Sequence, residues 1–372
     1  MKIGIMSMQR ITNYGSFLQA YGLKKVTEEL IGDRGIVEFV DYLPEKPVAY
    51  VEASASNRKN LLTRAFNMLS PSYRKYRNEQ LKIGSTFSAF CDAYQKEFLP
   101  TLGVDDKRNY CPELDVLIVG SDEVFNCTQP EAAVGYSRQL FGKDHNAKKL
   151  ISYAASFGST TIEKLKRYLI EQEVGEMLGN FNAISVRDEN SAFIVAQICH
   201  RIPETHIDPV LLYDFPEVDK IKIKLKDYIV VYAYADRIKV HEADAIRRFA
   251  EQKKKRILTL GFWMPWADEY VLASPLEVLA YIKNADYVVT DTFHGTVFSI
   301  KYQTPFATII RENNQEKLGN LLDTFELRER QVLDIEKIDK VLEKDLPVMV
   351  RNIVADKQRE ARNYLQRELT ST

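Results

Sequence analysis

The sequence predicts an α/β protein of two domains, each built on a mostly parallel, Rossmann-like sheet. Short apolar runs rich in β-branched residues alternate with helical stretches over most of the chain, and that alternation is typical of βαβ units. The chain of 372 residues is longer than a single hydrophobic core usually supports. A charged stretch at 214–226 separates one series of predicted strands from the next. Two domains joined by that stretch are therefore expected.

The elements follow in order along this pattern. Phe17 begins one predicted crossover helix (17–30) and Glu242 begins another (242–254). Pro347 precedes a charged closing helix (348–369), at a position where its missing N–H costs nothing. Strands are predicted at 2–6, 36–40, 116–119, 150–154, 183–186, 228–232, 257–260, 287–290 and 306–310. The resulting division is a first domain over 1–222, a second over 223–346, and a last segment, 347–372, that packs back on the body.

A basic insertion interrupts the first domain near 50–95. Residues 57–82 carry seven Lys or Arg against a single acid, Glu79, and are interleaved with apolar side chains. Such a segment is either an amphipathic helix that rests on a membrane surface or a lipid-linked acceptor, or a solvated helix with a basic face. Both interpretations stay open at this stage.

The overall composition excludes several classes of function. Lys plus Arg number 51 and Asp plus Glu number 52, so no global field favours nucleic acid. Four cysteines are present without metal-ligand spacing, which predicts free thiols and no metal site. The N-terminus lacks the pattern of a signal peptide, and no apolar run approaches the length of a membrane span. A cytoplasmic protein is expected, with the inner face of the membrane as a candidate working location.

Five segments together resemble the polysaccharide pyruvyl transferase family. They are 12–21 (TNYGSFLQAY), 115–126 (DVLIVGSDEVFN), 152–158 (SYAASFG), 185–191 (SVRDENS) with 208–212 (DPVLL), and 284–296 (NADYVVTDTFHGT). The resemblance implies a GT-B-like pair of domains facing across a cleft, with an acceptor side first and a donor side second. It implies no cofactor, and phosphoenolpyruvate as the donor. The product would be a pyruvate ketal on a sugar or lipid-linked oligosaccharide, in exopolysaccharide or capsule synthesis.

Two residues are the leading candidates for chemistry. His294 is expected to end an apolar strand and precedes Gly295, and an imidazole suits proton transfer near neutral pH. The resemblance places a substrate-binding arginine at Arg187, where a guanidinium fork suits a carboxylate or phosphate; the structural alternative is a salt bridge to Asp188 or Glu189. In the motif around His294, Thr292, Phe293 and Gly295 are also expected at the substrate.

Two strand-to-helix turns supply the remaining candidates. The family likeness makes Asn13, Tyr14 and Gln19 expected cleft residues, with Gly15 permitting a tight turn and Ser16 capping the helix. Free amides at that turn would favour an anionic or hydroxyl-rich ligand. A second turn, at Gly120, Ser121 and Asp122, follows a buried strand, and close approach of a ligand is one reason for its glycine.

One departure from the family pattern concerns charge. Members best matched to sugar-ketal formation carry an arginine two residues before the histidine, whereas this chain has Thr292. Arg311 or Lys317, from the next loop, is predicted to lie near His294 and replace the missing charge. The alternatives are a GT-B glycosyltransferase that uses a sugar nucleotide and a catalytically inactive sugar-binding protein.

Overall fold

Two parallel sheets, one in each half of the chain, organise the protein. A computed structural model describes residues 1–49, 71–129, 136–234 and 237–370. The first sheet contains β1 (Lys2–Met6), β2 (Ile36–Val40), β3 (Leu114–Asp122), β4 (Ala147–Ala155), β5 (Ser185–Val186) and β6 (Glu204–Thr205). The second contains β7 (Tyr228–Tyr232), β8 (Arg256–Leu260), β9 (Glu269–Val271), β10 (Tyr287–Thr290) and β11 (Phe306–Thr308).

Each sheet contains a point where the strand order reverses. The first sheet has the order β2-β1-β3-β4-β5-β6 and the second has the order β11-β10-β7-β8-β9. The reversal falls between β1 and β3 in the first sheet and between β7 and β10 in the second. Ligands of open α/β sheets bind beyond the carboxyl ends of the strands at such a point. The loops that follow these four strands are therefore where a site is expected.

Helices cover both sheets. The first half contains α1 (Tyr14–Ile31), α2 (Pro71–Ala93), α3 (Ile162–Arg167), α4 (Glu171–Gly179), α5 (Glu189–Cys199) and α6 (Pro209–Leu212). The second half contains α7 (Val240–Lys253), α8 (Pro275–Lys283), α9 (Phe293–Tyr302), α10 (Gln315–Thr324), α11 (Ile338–Leu342) and α12 (Met349–Thr370). After α2 the chain continues through a wider helical turn at Tyr94–Phe98 and a last turn at Leu99–Thr101.

The closing helix α12 packs on the first domain. The hydroxyl of Tyr364 donates to the carbonyl of Ser152 at 2.8 Å, and the amide of Gln358 donates to the carbonyl of Leu211 at 2.7 Å. Tyr364 and Leu365 are almost fully buried by this contact. The last helix thus returns from the second half of the chain to the body of the first.

The α/β class and the parallel sheets predicted from the sequence are confirmed. Four predicted strands coincide with β1, β2, β7 and β10, and most of the others differ only at their ends. Two strands, β6 and β9, were not predicted. Both are three residues long or shorter, and neither has a buried apolar face, so no periodic signal marked them.

Only part of the basic insertion can be compared with the prediction. Residues 50–70 lie outside the described residues, and α2 forms the rest. The ammonium group of Lys82, in α2, lies 4.4 Å from the ring centre of Trp263, which belongs to the second half of the chain. Across the described ranges, the helices are too short or too polar to span a bilayer.

Candidate active site

A cleft of about 670 Å³ lies where the reversal points of the two sheets meet. Residues after β1 and β3 form one side, and residues after β7 and β10 form the other. Its lining includes most of the predicted site residues and several others: Thr12, Asn13, Tyr14, Ser16, Phe87, Phe90, Asp122, Glu123, Arg187, Tyr234, Arg237, Phe262, Asp291, Thr292, Phe293, His294, Asn314 and Lys317.

His294 lies in the first turn of α9. The expectation that it ends a strand is corrected, because β10 stops at Thr290 and Thr292 then caps the helix by accepting the amide of Gly295 at 2.9 Å. The imidazole atom Nε2 is buried and has no hydrogen-bond partner among the described residues. It lies 3.6 Å from the Asp208 carboxylate. The side chain as a whole is 13% exposed, at the wall of the cleft.

Gly15 makes room for this imidazole. A Cβ at Gly15 would lie 2.0 Å from His294 Nδ1 and 2.2 Å from its Cγ. The glycine sits in the first turn of α1, so the prediction that it permits a tight turn is corrected. Its missing side chain instead lets the start of α1 approach the start of α9. This contact joins the two domains at the centre of the cleft.

Asp208 connects the two leading candidates. Its side chain is 1% exposed and accepts from Arg187 Nη1 at 3.0 Å, while Val210 N–H donates to its other oxygen at 2.9 Å. Burial alone would raise the pKa of Asp208, but the contact with His294 and the charge of Arg187 keep that pKa below its ordinary value. A carboxylate whose ionised form is favoured therefore faces His294 Nε2.

Arg187 is held in place on three sides. Its guanidinium contacts Asp208, lies 4.0 Å from Asp122 and stacks 4.1 Å from the ring centre of Phe293. The side chain is only 5% exposed. Its carboxylate partners come from other elements rather than from the neighbouring Asp188, which caps α5. Arg187 thus reaches the cleft but is shared with two structural acids.

Lys317 and Arg311, the proposed replacements for the missing arginine, differ in position. Lys317 lines the cleft and pairs with Glu123 at 2.8 Å. Burial would raise the pKa of Glu123, but Lys317, Asn126 and Arg187 lower it to about 2. Arg311 is absent from the cleft lining described above. It is held by the Glu242 carboxylate at 2.5 Å and 2.8 Å.

The sequence predicted free amides at the first turn of α1, but a neighbouring side chain occupies two of them. Asn13, not Ser16, is the cap: its side-chain oxygen accepts from the amides of Gly15 and Ser16 at 2.7 Å and 3.3 Å. These two amides are therefore occupied and do not bind a ligand. Ser16 donates to Asp122 at 2.7 Å. Tyr14 lines the cleft and donates to the Ala273 carbonyl of the second domain at 2.6 Å.

Three predicted substrate contacts support the fold instead of lining the cleft: Gln19, Gly120 and Ser121. Gln19 is fully buried and bonds Ser7 at 2.9 Å and Ser121 at 2.6 Å, which ties α1 to β1 and β3. Gly120 has φ of +134°, and a Cβ there would meet the carbonyl oxygen of Tyr153 at 2.1 Å. That glycine is required by the neighbouring strand rather than by a ligand. Asp122, next in the turn, does line the cleft.

Gly295 is also a packing residue. A Cβ at this position would lie 2.2 Å from the hydroxyl of Thr290. The hydroxyl of Thr290 also contacts that of Thr292 at 3.0 Å. An arginine in place of Thr292 would lose both this contact and the helix cap. The departure from the family pattern at Thr292 therefore has a local structural role.

Sequence reasoning missed three charged residues of the cleft, namely Glu123, Arg237 and Asp291. Arg237 stacks 4.6 Å from the ring centre of Tyr234 and lies 4.0 Å from Asp291. Asp291 is fully buried, and its Oδ1 has no partner among the described residues. Burial raises the pKa of Asp291 despite Arg237 and Arg311. The position of Arg237 after the carboxyl end of a strand, β7, is the signal that would have found it.

The other histidines lie away from the cleft. His200 and His241 are exposed, and His145 is partly exposed. His206 is not: it is 7% exposed, bonded to Ser185 at 2.8 Å and packed 4.7 Å from the ring of Tyr364. Burial, with smaller effects of Arg367 and Lys357, lowers its pKa to about 4. In the described part of the chain, no group of three or more His, Cys, Asp or Glu is placed to hold a metal ion.

The fold and cleft define the class: a two-domain α/β protein of the GT-B type. The S. aureus MnaA–UDP structure shares this fold, with a TM-score of 0.50, 11% identity, and coverage of 100% of this chain and 97% of that one. A family model, polysaccharide pyruvyl transferase, matches residues 13–313. The chain belongs to that family. Membership indicates a transferase and implies a sugar or polysaccharide acceptor.

Other comparisons are weaker. The UDP-GlcNAc 2-epimerase from Methanocaldococcus jannaschii has a TM-score of 0.46, 12% identity, and coverage of 98% of this chain and 99% of that one. The E. coli heptosyltransferase WaaC with ADP has a TM-score of 0.40, 15% identity, and coverage of 92% and 99%. No curated protein matches the sequence.

Proposed function

We propose that this protein transfers the enolpyruvyl part of phosphoenolpyruvate to two hydroxyls of a sugar and forms a pyruvate ketal. One observation carries the proposal most directly: an imidazole, His294, stands at a helix start in the cleft with Arg187 and Lys317 in the same lining. A proton donor beside cations fits a donor that carries a carboxylate and a phosphate.

The environment of His294 suggests a role for each ring nitrogen. Asp208 faces Nε2 at 3.6 Å, so it orients the ring and stabilises the imidazolium form. We assign the proton exchange with the substrate to Nδ1, the ring nitrogen that does not face Asp208. Asp208 is a positioning residue in this scheme, because it acts through His294 and touches no reacting atom.

The reaction balances with one imidazole as the shuttle. His294 Nδ1–H protonates the methylene carbon of phosphoenolpyruvate, and C2 becomes an oxocarbenium-like electrophile. A sugar hydroxyl adds to C2, and its proton returns to the neutral imidazole. The C2–O bond to phosphate then breaks, a second hydroxyl closes the ketal, and the proton of that hydroxyl leaves with inorganic phosphate.

Anion binding draws on the start of α9 as well as on side chains. The first amides of a helix have no intrahelical acceptor, and Thr292 occupies only that of Gly295. The amides of Phe293 and His294 are thus available to a phosphate or carboxylate.

The acceptor is proposed to occupy the side of the cleft formed by the first domain. The synthesis of an exopolysaccharide or capsule, in the cytoplasm or at the inner membrane face, remains the expected setting. The basic insertion near 50–95 is the segment proposed to contact a membrane surface or a lipid-linked acceptor.

Solvent deuterium exchange tests the proton transfer. In D₂O, wild-type protein with a glycoside acceptor should place deuterium in the methyl group of the ketal and release phosphate. His294→Ala should slow both by roughly 10²- to 10⁴-fold and keep the wild-type unfolding midpoint within a few degrees. The matched control is His241→Ala, an exposed histidine of α7, which should retain wild-type turnover.

Three results would contradict the proposal. Wild-type turnover by His294→Ala would remove its catalytic role. Stabilisation against heat by a nucleotide sugar, with none by phosphoenolpyruvate, would favour the sugar-nucleotide glycosyltransferase instead. Stabilisation by glycosides alone would favour an inactive sugar-binding protein.

A further inference from the structure

One side of the cleft is an aromatic surface built by both domains. Phe87 and Phe90 come from α2, and Phe262 follows β8. The rings of Phe87 and Phe262 lie nearly parallel, 15° apart, with centres separated by 5.9 Å. Tyr234 extends this surface, with its ring centre 5.1 Å from that of Phe262. We call these four residues the aromatic shelf.

The shelf is open to solvent in the cleft, although it is apolar. Phe87 is 42% exposed, and Phe262 is partly exposed. Phe90 supports them from below and is only 1% exposed. A partly exposed pair of phenyl rings in a cleft, set on a buried third ring, is the arrangement expected where a ligand supplies the missing cover.

Polar groups border the shelf. The amide of Asn13 donates to the hydroxyl of Tyr234 at 2.9 Å. Arg237 stacks on the ring of the same tyrosine and lies 4.0 Å from Asp291. A sugar ring has an apolar C–H face and hydroxyls at its rim, so a ring on the shelf would meet both kinds of partner. The three-carbon donor would fill only part of a cleft of about 670 Å³.

We propose that the aromatic shelf binds the apolar face of an uncharged pyranose ring of the acceptor. This assignment rests on the proposed function, because it assumes that the donor occupies the His294 side. It also gives α2 a role: the helix that follows the basic insertion carries half of the acceptor site and thereby sets which sugar is used.

A nucleobase is the other ring that an aromatic surface can hold. A sugar nucleotide would bring a diphosphate next to its base. The cation beside the shelf, Arg237, is already matched by Asp291, so charge near the shelf is balanced. That balance favours an uncharged sugar over a sugar nucleotide. Parallel titration with glycosides and with uridine separates the two ligands.

The sequence provides a built-in reporter for this test. The chain has two tryptophans, Trp263 and Trp266, and both follow Phe262 in the loop after β8. Trp263 also contacts Lys82 of α2. Intrinsic tryptophan fluorescence of the full chain therefore comes from the loop that carries one half of the shelf.

The experiment titrates the full-length protein with methyl β-D-glucopyranoside, methyl β-D-galactopyranoside and methyl α-D-mannopyranoside, and in parallel with uridine. At least one glycoside should give a saturable change in tryptophan fluorescence. Phe87→Ala should raise its Kd about tenfold, and Phe87→Tyr, which keeps the ring, should restore binding to within about twofold. Phe193→Ala is the matched control, because Phe193 is 57% exposed on α5, outside the cleft lining. Circular dichroism and thermal unfolding confirm that each variant is folded.

The outcomes distinguish this inference from the proposed function. The shelf is refuted if no glycoside saturates at tens of millimolar, if Phe87→Ala and Phe193→Ala bind alike, or if uridine binds more tightly than every glycoside. In turnover, Phe87→Ala should raise the KM for the acceptor and leave that for phosphoenolpyruvate unchanged. Glycoside binding that depends on Phe87, without any turnover of phosphoenolpyruvate, would contradict the proposed donor and support the shelf.

Discussion

Gly15→Ala is the substitution for which the structure makes its sharpest prediction. The new Cβ would lie 2.0 Å from His294 Nδ1, 2.2 Å from Cγ and 2.6 Å from Cε1. Carbon atoms in contact are normally separated by about 3.5–4.0 Å. The imidazole has little room to retreat, because Asp208 lies 3.6 Å from Nε2 and the ring of Phe298 is centred 5.9 Å away.

Two effects of opposite sign decide the change in stability. Replacing glycine by alanine inside a helix stabilises it by about 0.5–1 kcal/mol. Overpacking a tight contact costs about 1–3 kcal/mol. The net expectation is a loss of roughly 0–2.5 kcal/mol in the free energy of unfolding. Activity should fall much further, because a displacement of about 1 Å in a catalytic group costs on the order of 10²-fold in rate.

A double-mutant cycle isolates this contact. In the His294→Ala background the imidazole is absent, so Gly15→Ala should become stabilising by about 0.5–1 kcal/mol. Gly84→Ala is the control for helix propensity, since nothing lies within 4 Å of a Cβ there; it should stabilise α2 by a similar amount. Urea unfolding at constant pH, with phosphate release for activity, measures all five proteins.

The reasoning would be refuted by either of two results. One is wild-type turnover and raised stability of Gly15→Ala in the presence of His294. The other is the same change in unfolding free energy for Gly15→Ala with and without the imidazole, which would show that the two residues do not touch.

Three further predictions concern charged side chains. Because the pKa of His206 is about 4 when folded and about 6.5 when unfolded, the unfolded state takes up the proton first as pH falls. Up to about 3 kcal/mol of stability should be lost between pH 6.5 and 4. His206→Asn should flatten this dependence in urea unfolding, whereas His241→Asn should leave it unchanged. Lys317→Met should destabilise the protein by about 1–3 kcal/mol, since Glu123 loses its partner. Adding Glu123→Gln should restore stability but not the affinity for phosphoenolpyruvate; recovery of both would place Lys317 in a purely structural pair. Arg187→Lys should weaken the binding of phosphoenolpyruvate more than the binding of the acceptor, because a point charge cannot stack on Phe293 and span two acids. Equal changes in the two KM values would contradict that role.

Much of the fold was predictable because its signal is local. Buried parallel strands such as β7, with every residue buried, stand out as short β-branched runs between helices. The motif order also identified the family, and the structure brings the candidates His294, Arg187 and Asp122 into one cleft lining. Strands of two or three residues, such as β6, have no periodicity of their own and are defined by their neighbours.

The individual roles within the motifs could not be obtained in this way. A glycine in a sequence is compatible with a tight turn, a close ligand or a close neighbour. The structure shows the third at Gly15, Gly120 and Gly295. Likewise Gln19 is polar and lies in a family motif, yet it is fully buried and joins α1 to two strands.

The sequence by itself determined the α/β class, the parallel sheets and the family. The tertiary structure decided which residues meet at the site: Asp208 against His294, Lys317 rather than Arg311 in the cleft lining, and the aromatic shelf built from α2 and the loops after β7 and β8. The physical reason is range. Strand and helix patterns arise from contacts between residues close along the chain, whereas these pairings arise only when two domains pack against each other.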